Sequence, residues 1–343
     1  MLWRPPPHRA SIGILDVMVI EERAVPRTRG SARGKLVSGL LIGAVVPFAV
    51  LTAMRLVGYD GNTYTIAALA LTPYAGIATL VLAVLALGLR RWWVAAVALV
   101  LTFAIAALVL PRAFANEQKA LGGKHVRVLA SNMLGGQADP ARIVGYVKEH
   151  QVDVLSLTEL TPEAITGLDR AGLFRLLPFH VLHPAEWASG SGLVSKYPLT
   201  PLTLSGDSTY KQPSAGVDLG DGVRIEVVAV HPAAPMWDRH AWVDEAKDLP
   251  YADAEHDIRI LAGDFNASLD HSVFRELLTR GYVDAADQLG KALQGTWTNG
   301  AVPPVPIDHV LADKRAAIAD FKVLETPGSD HDAVYAEVVL PGK

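Results

Sequence analysis

Eight carboxylate, amide and imidazole side chains stand at or beside the ends of apolar runs in this 343-residue sequence. They are Asn132, Glu159, His231, Asp264, Asn266, Asp308, Asp330 and His331. In open sheets, ligand sites lie at the carboxyl ends of the strands. We therefore expect these side chains to meet in one site.

The residue types indicate which chemistry such a site could perform. Glu159, Asp264 and Asp330 offer the hard oxygen ligands that Mg²⁺ or Mn²⁺ prefers. Such a cation neutralises phosphate charge and stabilises an oxygen leaving group. A histidine paired with a carboxylate can act as a base toward water, with the acid fixing its tautomer. The chain has no cysteine, which excludes thiol catalysis, cysteine zinc sites and disulfides.

Alternating strands and helices from residue 125 onward are expected to position these groups. The predicted strands are 125–131, 152–157, 179–183, 192–195, 215–219, 223–230, 258–262, 307–311, 317–324 and 333–339. The predicted helices are 139–150, 162–173, 238–249 and 270–280. Many strands with few intervening helices favour an α+β four-layer β-sandwich, in which two packed mixed sheets are flanked by helices, over a simple Rossmann unit.

Most of the apolar excess precedes that region. Residues 36–54, 61–89 and 92–110 are three apolar segments, each near the roughly 20 residues that cross a bilayer. We predict three transmembrane helices within 36–111, after a disordered basic cytoplasmic tail at 1–35. Residues 112–124 are predicted to be a linker and 125–341 the catalytic domain. The tail and Arg90-Arg91 are basic, so the positive-inside rule predicts a multi-pass cell-membrane protein with an extracytoplasmic domain.

The ordered motifs of the chain resemble those of the endonuclease/exonuclease/phosphatase superfamily. They are Ser131-Asn132, Leu157-Thr158-Glu159, the run from Gly192 to Pro198, His231-Pro232, Gly263-Asp264-Phe265-Asn266, Gly295-Thr296-Trp297, Ile307-Asp308-His309-Val310 and Ser329-Asp330-His331. The resemblance covers about residues 125–340, and the ordered set is specific although single motifs are weak. That superfamily includes DNase-like enzymes, abasic-site endonucleases, sphingomyelinases and inositol-phosphate phosphatases. The resemblance implies a metal-dependent phosphoester hydrolase.

The resemblance also implies which residues hold the metal. Glu159 would be the principal ligand, with Asn132 beside it and Asp330 close by. Asn132 would in addition contact the substrate. The implied cofactor is Mg²⁺ or Mn²⁺, and the sequence leaves open which of the two is bound.

The same resemblance implies the catalytic roles. His331 would be the catalytic histidine and Asp308 its partner. Asp264 and Asn266 would orient the nucleophile and the phosphate, and Asp264 could protonate the leaving oxygen. His231 would bind a phosphate oxygen.

One position departs from the DNase-like pattern. In DNase-like members, the histidine that corresponds to His231 pairs with a glutamate just before the strand that corresponds to 192–195. Ser189, Gly190 and Ser191 stand there in this chain, and Glu186 is nearby but out of register. The sequence therefore does not identify an acidic partner for His231.

The substrate class stays open between nucleic acid, a lipid headgroup and a small diester. Residues 112–343 carry 21 Lys/Arg against 31 Asp/Glu, a net charge of −10. Non-specific nucleic-acid binding needs a basic surface, so this charge disfavours a processive DNA enzyme. The alternative to an enzyme is a membrane-held binding module, a pseudoenzyme with the same fold. No obligate protein partner is evident from the sequence.

Overall fold

The computed structural model describes residues 1–4 and 32–342, so most of the predicted basic tail lies outside the described residues. The helices are α1 Ala32–Val57, α2 Thr63–Ala70, α3 Thr72–Gly88, α4 Trp92–Val109, α5 Pro140–Glu149, α6 Pro162–Ala171, α7 Leu173–Leu176, α8 Arg239–Lys247, α9 Ser272–Thr279 and α10 Ala285–Gln288. The strands are β1 His125–Asn132, β2 Val154–Thr158, β3 Phe179–His183, β4 Ser191–Ser195, β5 Leu199–Leu202, β6 Ser214–Asp218, β7 Arg224–Val230, β8 Ile258–Asp264, β9 Tyr282–Asp284, β10 Asp308–Asp313, β11 Ala317–Leu324 and β12 Ala333–Val339.

The strands form two six-stranded mixed sheets. The first has the order β11-β12-β1-β2-β4-β3, and the second has the order β5-β6-β7-β8-β10-β9. Each sheet contains one parallel pair, β1 with β2 and β7 with β8, and its other neighbours are antiparallel. The two parallel pairs therefore place four strand carboxyl ends at one edge of the sandwich.

Strand alternation explains how one sequence fills two apolar layers. In β1, Val126, Val128 and Ala130 belong to the core between the sheets, whereas Leu129 belongs to the layer under the outer helices. Successive side chains of a strand point to opposite faces, so the apolar run of β1 is buried on both sides. The hydroxyl of Ser156 donates to the carbonyl of Ala262 at 2.8 Å and ties β2 to β8 across the core.

The outer layers consist of helices on both sheets. Helices α5 and α6 bury Ile143, Val147 and Leu168 against the first sheet. Helices α8 and α9 bury Trp242 and Phe274 in the cluster that also contains the second sheet. Helix, sheet, sheet and helix make four layers, which confirms the predicted fold class.

Two or three apolar helices of membrane-spanning length precede the sandwich. α1 and the helical stretch Trp92–Ala113 qualify singly, and α2 with α3 qualifies as a pair bent by 75°. Asn62 caps the start of α2, since its side chain accepts from the backbone N–H of Tyr64 and Thr65. Pro73 stands in the first turn of α3, where proline starts a helix and cannot continue the preceding one. The apolar segment 61–89 is thus broken into two helices instead of forming one straight span.

The helices are attached to the sandwich through buried charges. The carboxylate of Asp270 accepts from Arg55 of α1 at 2.9 Å and from Arg112, after α4, at 2.6 and 2.8 Å. Burial alone would raise the pKa of Asp270, but the two guanidinium groups outweigh it and lower that pKa. Asp60, between α1 and α2, accepts from the backbone N–H of Ser272 at 2.7 Å, at the start of α9. The loop after α1 and the end of α4 therefore lie on the same side as the sandwich.

The segment predicted as a linker is also docked on the sandwich. Ala115 forms an isolated β-bridge with Leu289, and the N–H of Asn116 donates to the carbonyl of Gln288 at 3.0 Å. The Gln118 side chain accepts from the N–H of Ile318 at 2.7 Å. These bonds satisfy backbone groups that a free linker would leave to water.

Candidate active site

The predicted residues come together at the edge of the sandwich where the strands of the two parallel pairs, β1 with β2 and β7 with β8, end. Asn132 ends β1, Glu159 follows β2, His231 follows β7 and Asp264 ends β8. Asp308 begins β10 and is the direct register partner of Asp264. Asp330 and His331 precede β12, which is antiparallel to β1, so its start lies at the same edge. The structure thus gathers all the predicted site residues, with Asn266 two positions after Asp264.

The backbone around Asp264 is unusual, and it aims that side chain. At Gly263 a Cβ would lie 2.2 Å from the carbonyl oxygen of Val230, so only glycine lets β8 approach β7 this closely. Asn266 has a φ of 50°, a left-handed conformation that non-glycine residues seldom adopt. Its N–H donates to Asp264 Oδ1 at 2.8 Å, which leaves Oδ2 turned toward the site. The motif Gly-Asp-Phe-Asn is therefore a turn that fixes a carboxylate.

His331 forms a hydrogen-bonded pair with Asp308. Its Nδ1 lies 2.9 Å from Asp308 Oδ2, and the Thr296 hydroxyl donates to the same oxygen at 2.7 Å. Nε2 of His331 lies 3.7 Å from Asp264 Oδ2. Burial alone would lower the pKa of His331, but the carboxylates of Asp308, Asp264 and Asp330 outweigh it and raise that pKa to about 10. The ring is therefore held as an imidazolium between acids.

Glu159 is held in a strained conformation at the end of β2. Its φ is 54°, and its Oε2 accepts from the N–H of Gly135 at 2.8 Å. Asn132 Nδ2 donates both to Glu159 Oε1 and to Asp264 Oδ2, each at 3.1 Å. The oxygen of Asn132 accepts from the N–H of Leu134. Asn132 therefore presents its amide nitrogen to the two carboxylates, and a role as metal ligand would require its oxygen instead.

Asp330 carries an oxygen that is left over. Its Oδ2 accepts from the indole Nε1 of Trp297 at 2.9 Å. Its Oδ1 is buried and has no hydrogen-bond partner among residues 1–4 and 32–342. Nε2 of His331 lies 3.9 Å from this oxygen, so the imidazolium balances part of its charge but does not donate a hydrogen bond to it. Trp297 thus orients the Asp330 carboxylate, and the second carboxylate oxygen stays available for another ligand.

The donors at this edge fit a hard divalent cation. Glu159, Asp264 and Asp330 line one cavity, and carboxylate oxygens are what Mg²⁺ and Mn²⁺ prefer. Among the described residues, the one group of three such side chains whose ligand atoms lie within 4.8 Å of one another is Asp264, Asp308 and His331. Asp308 Oδ2, however, is already bound by His331 and Thr296.

His231 is a neutral imidazole at the second parallel pair. Burial lowers its pKa to about 4, although Asp264 opposes the effect. Its Nε2 lies 3.8 Å from Asp264 Oδ2, and its Nδ1 has no hydrogen-bond partner within the described part of the chain. Glu186 is therefore not bonded to that nitrogen. Within residues 1–4 and 32–342, no acidic side chain bonds to Nδ1 of His231, in agreement with the departure seen in the sequence.

The structure adds site residues that no motif had indicated. The ring of Tyr210, in the loop between β5 and β6, lies 4.6 Å from that of His231. Ala67 and Leu71, from the apolar segment 61–89, line the same cavity as the carboxylates. Neither set could have been found from the sequence, because both reach the site only through the folding of distant segments.

His309 lies on the opposite face of β10 from the site. Its Nδ1 is 2.6 Å from Asp284 Oδ2 and its Nε2 is 2.9 Å from the carbonyl oxygen of Ala267. Since both partners accept, both ring nitrogens must donate. Burial alone would lower the pKa of His309, but Asp284 outweighs it and raises that pKa. This pair stabilises the second sheet outside the site.

Comparison with known proteins supplies a family match. The model of the Endonuclease/Exonuclease/phosphatase family matches residues 129–331. A search of curated proteins gave no match. The chain is similar to the solved structure of an endonuclease/exonuclease/phosphatase family protein from Bacteroides thetaiotaomicron, at 18% identity over 64% of this chain and 100% of that one, with a TM-score of 0.48. It is also similar to humanized D. rerio TDP2, at 17% identity over 62% of this chain and 98% of that one, with a TM-score of 0.47. The mannosyl-6-phosphatase Bt3783 from Bacteroides thetaiotaomicron VPI-5482 is similar at 18% identity over 63% of this chain and 100% of that one, with a TM-score of 0.46.

Proposed function

Because this chain belongs to the endonuclease/exonuclease/phosphatase family, we propose that it is a divalent-metal-dependent phosphoester hydrolase held at a membrane by its N-terminal helices. The observation that carries the proposal is the cluster around Asp264. Its Oδ2 lies within 3.8 Å of both His231 and His331, and Asp308 holds His331 from behind. The family match confirms the resemblance of the motifs, and the cluster supplies the groups that phosphoester hydrolysis needs.

Each residue has a role that its surroundings support. Glu159 and Asp330 would hold Mg²⁺ or Mn²⁺, which would neutralise phosphate charge and stabilise the leaving oxygen. Protonated His331, fixed by Asp308, would bind a negative phosphate oxygen and stabilise the charge that develops on it. Asp264 accepts hydrogen bonds at both oxygens, so it would orient the attacking water and take its proton. Burial raises the pKa of Asp264, which favours holding that proton until it passes to the leaving oxygen.

The phosphate would be positioned from the other side of the cluster. His231 is neutral, so one of its ring nitrogens can donate to a phosphate oxygen. Asn266 Nδ2 donates to the carbonyl of Pro232 at 3.2 Å, which holds its amide beside His231. Asn132 would bridge the two halves of the site by donating to both Glu159 and Asp264.

Hydrolysis of bis(p-nitrophenyl) phosphate by the full-length protein tests this function. We expect turnover with Mg²⁺ or Mn²⁺, loss of turnover with a chelator, and a large loss in His331→Ala. Asp257→Asn is the matched control, because Asp257 is half exposed in a loose pair with Arg224 at 3.8 Å. Metal binding without turnover of any phosphoester would instead support the binding module with the same fold.

We also propose that the sandwich is extracytoplasmic. Arg90 and Arg91 separate α3 from α4, and basic loops stay in the cytoplasm. The contacts of Asp270 with Arg55 and Arg112 put the sandwich on the opposite side of the helices from Arg90-Arg91. Alkaline phosphatase fused after Ala120 should therefore be active. An inactive phosphatase together with a fluorescent cytoplasmic reporter at the same position would reverse the orientation.

A further inference from the structure

The cavity at the active site has one wall that does not come from the sandwich. It encloses about 720 Å³ and is lined on one side by Glu159, His231, Asp264 and His331. The facing wall comes from α2, with Ala67, Ala70 and Leu71 among its members. Pockets of roughly 300–1,000 Å³ hold ligands of drug size. There is room for a phosphate at the acids and for an apolar group along α2.

The α2 wall is fixed to the sandwich by specific contacts. Ile66 belongs to the apolar core that contains the second sheet. Its carbonyl lies 2.9 Å from Nε2 of His271, whose Nδ1 accepts from the N–H of Ser268. The Thr63 hydroxyl donates to the carbonyl of Pro235, in the loop after β7. α2 is therefore a built part of the pocket and not a helix that happens to lie near it.

The same wall continues directly into the membrane helices. Only Leu71 separates α2 from α3, which is apolar along its length. The Tyr74 hydroxyl, in the first turn of α3, donates to the carbonyl of Pro304, which directly precedes the lining residue Val305. Met236 and Trp237, which also line the cavity, are 57% and 85% exposed. Large apolar side chains exposed at a pocket mouth beside membrane helices are typical of the bilayer interface, where tryptophan is enriched.

The charges of the lining suit one phosphate better than a polyanion. Among the described residues, no lysine or arginine lines this cavity. Nucleic-acid binding depends on Lys/Arg contacts to several phosphates, and residues 112–343 have a net charge of −10. A single phosphate with a long apolar chain fits both the acid end and the apolar end of the cavity.

We propose that the substrate is a membrane lipid phosphoester, whose phosphate reaches Asp264 and His331 while its apolar chain lies along α2. This inference rests on the proposed hydrolase function and specifies its substrate class. The lipid would enter from the bilayer surface between α2 and the loop that carries Met236 and Trp237. The membrane helices would then form part of the binding site as well as the anchor.

A series of alkyl p-nitrophenyl phosphates tests this inference in the full-length protein. The methyl, octyl and dodecyl diesters share one leaving group and differ only in the chain, and each is assayed with Mn²⁺ at a fixed detergent concentration. Each methylene that leaves water is worth up to about fourfold in binding. We expect kcat/KM to rise at least about tenfold from the methyl to the octyl ester.

Two variants of one residue then locate the effect on α2. Ala67→Leu and Ala67→Gln add side chains of similar size, both compatible with a helix, and differ in polarity. We expect the octyl-to-methyl preference of Ala67→Gln to fall at least about threefold below that of Ala67→Leu. Phe179→Gln removes an exposed apolar side chain from β3, outside the cavity, and should leave the preference unchanged.

The outcomes separate this inference from the function on which it rests. Metal-dependent turnover with equal kcat/KM along the series, or a preference for an oligonucleotide, leaves a hydrolase and overturns the lipid substrate. Equal preferences in the two Ala67 variants overturn the assignment to α2. No metal-dependent turnover of any ester overturns the proposed function, and the inference fails with it.

Discussion

The pairing of Asp308 with His331 allows a quantitative test of the proposed catalytic unit. The two side chains are buried and lie 2.9 Å apart, and Thr296 fixes the carboxylate from the other side. Asp308→Asn keeps the shape and removes the charge. A hydrogen bond to a charged group contributes about 1.5–3 kcal/mol, so the variant should lose about 10- to 150-fold in kcat.

The companion change removes the ring itself. His331→Ala should lose about 10²–10³-fold in kcat, the usual scale for losing one group that stabilises the charge of the transition state. The double variant should be little slower than His331→Ala alone, because residues that act as a unit are not additive. Asp308 has nothing to orient once the imidazole is gone.

The assay is kcat for bis(p-nitrophenyl) phosphate at saturating Mn²⁺, with all variants in the full-length chain. Asp257→Asn, at a half-exposed position, controls for a general loss of acidic charge. If the losses of the two single variants multiply in the double variant, Asp308 and His331 act independently. The motif Ile307-Asp308-His309-Val310 would then not be the partner of Ser329-Asp330-His331.

Three further changes test the metal site and the stability of the fold. Glu159→Gln removes one anionic oxygen at nearly constant shape and should raise the Mn²⁺ concentration needed for half-maximal activity; an unchanged metal titration would remove Glu159 from the site. Asp270→Asn leaves Arg112, which is buried, and Arg55, which is partly buried, without their carboxylate. It should cost about 3–5 kcal/mol, a fall in Tm of about 5 °C or more, whereas Asp257→Asn should change Tm little. The pKa of His309 is raised in the folded protein, so the pair with Asp284 makes the stability of the fold depend on pH. The pair contributes its full stabilisation below the pKa of His309 in the unfolded chain, about 6.5, and this stabilisation is lost as pH rises through the pKa in the folded protein. The Tm difference between the wild type and His309→Gln should therefore shrink from pH 6 to pH 9, and a constant difference would contradict an ionised pair.

The sequence predicted the sandwich well because its core strands are apolar and its motifs stand at strand ends. Two strands were missed for physical reasons. β5 contains Pro201, which lowers strand propensity but is tolerated in an edge strand, and β5 is at the edge of its sheet. β9 has only three residues and pairs solely with β10. A strand that short carries no alternation to detect.

The site was less predictable than the fold. The strand-end residues were found because each belongs to a local motif. The contribution of α2 was missed because residues 61–89 read as one apolar segment, and the 75° bend depends on where Asn62 starts one helix and Pro73 another. Whether an apolar helix faces lipid or a pocket is decided by tertiary contacts, such as that of Ile66 with His271. No periodicity encodes those contacts.

Under the proposed membrane topology, the buried Asp270 would link insertion of the helices to the stability of the sandwich. Its two arginines come from the end of the first helix and the end of the last, so both are synthesised before it. In a chain whose first helix inserted the wrong way round, Arg55 would be on the far side of the bilayer from Asp270. That chain would have to bury Asp270 with one partner missing, which is strongly destabilising. The ion cluster would thus make the stability of the sandwich depend on the orientation of the helices, because Asp270 has both partners only when Arg55 and Arg112 lie on its side of the bilayer.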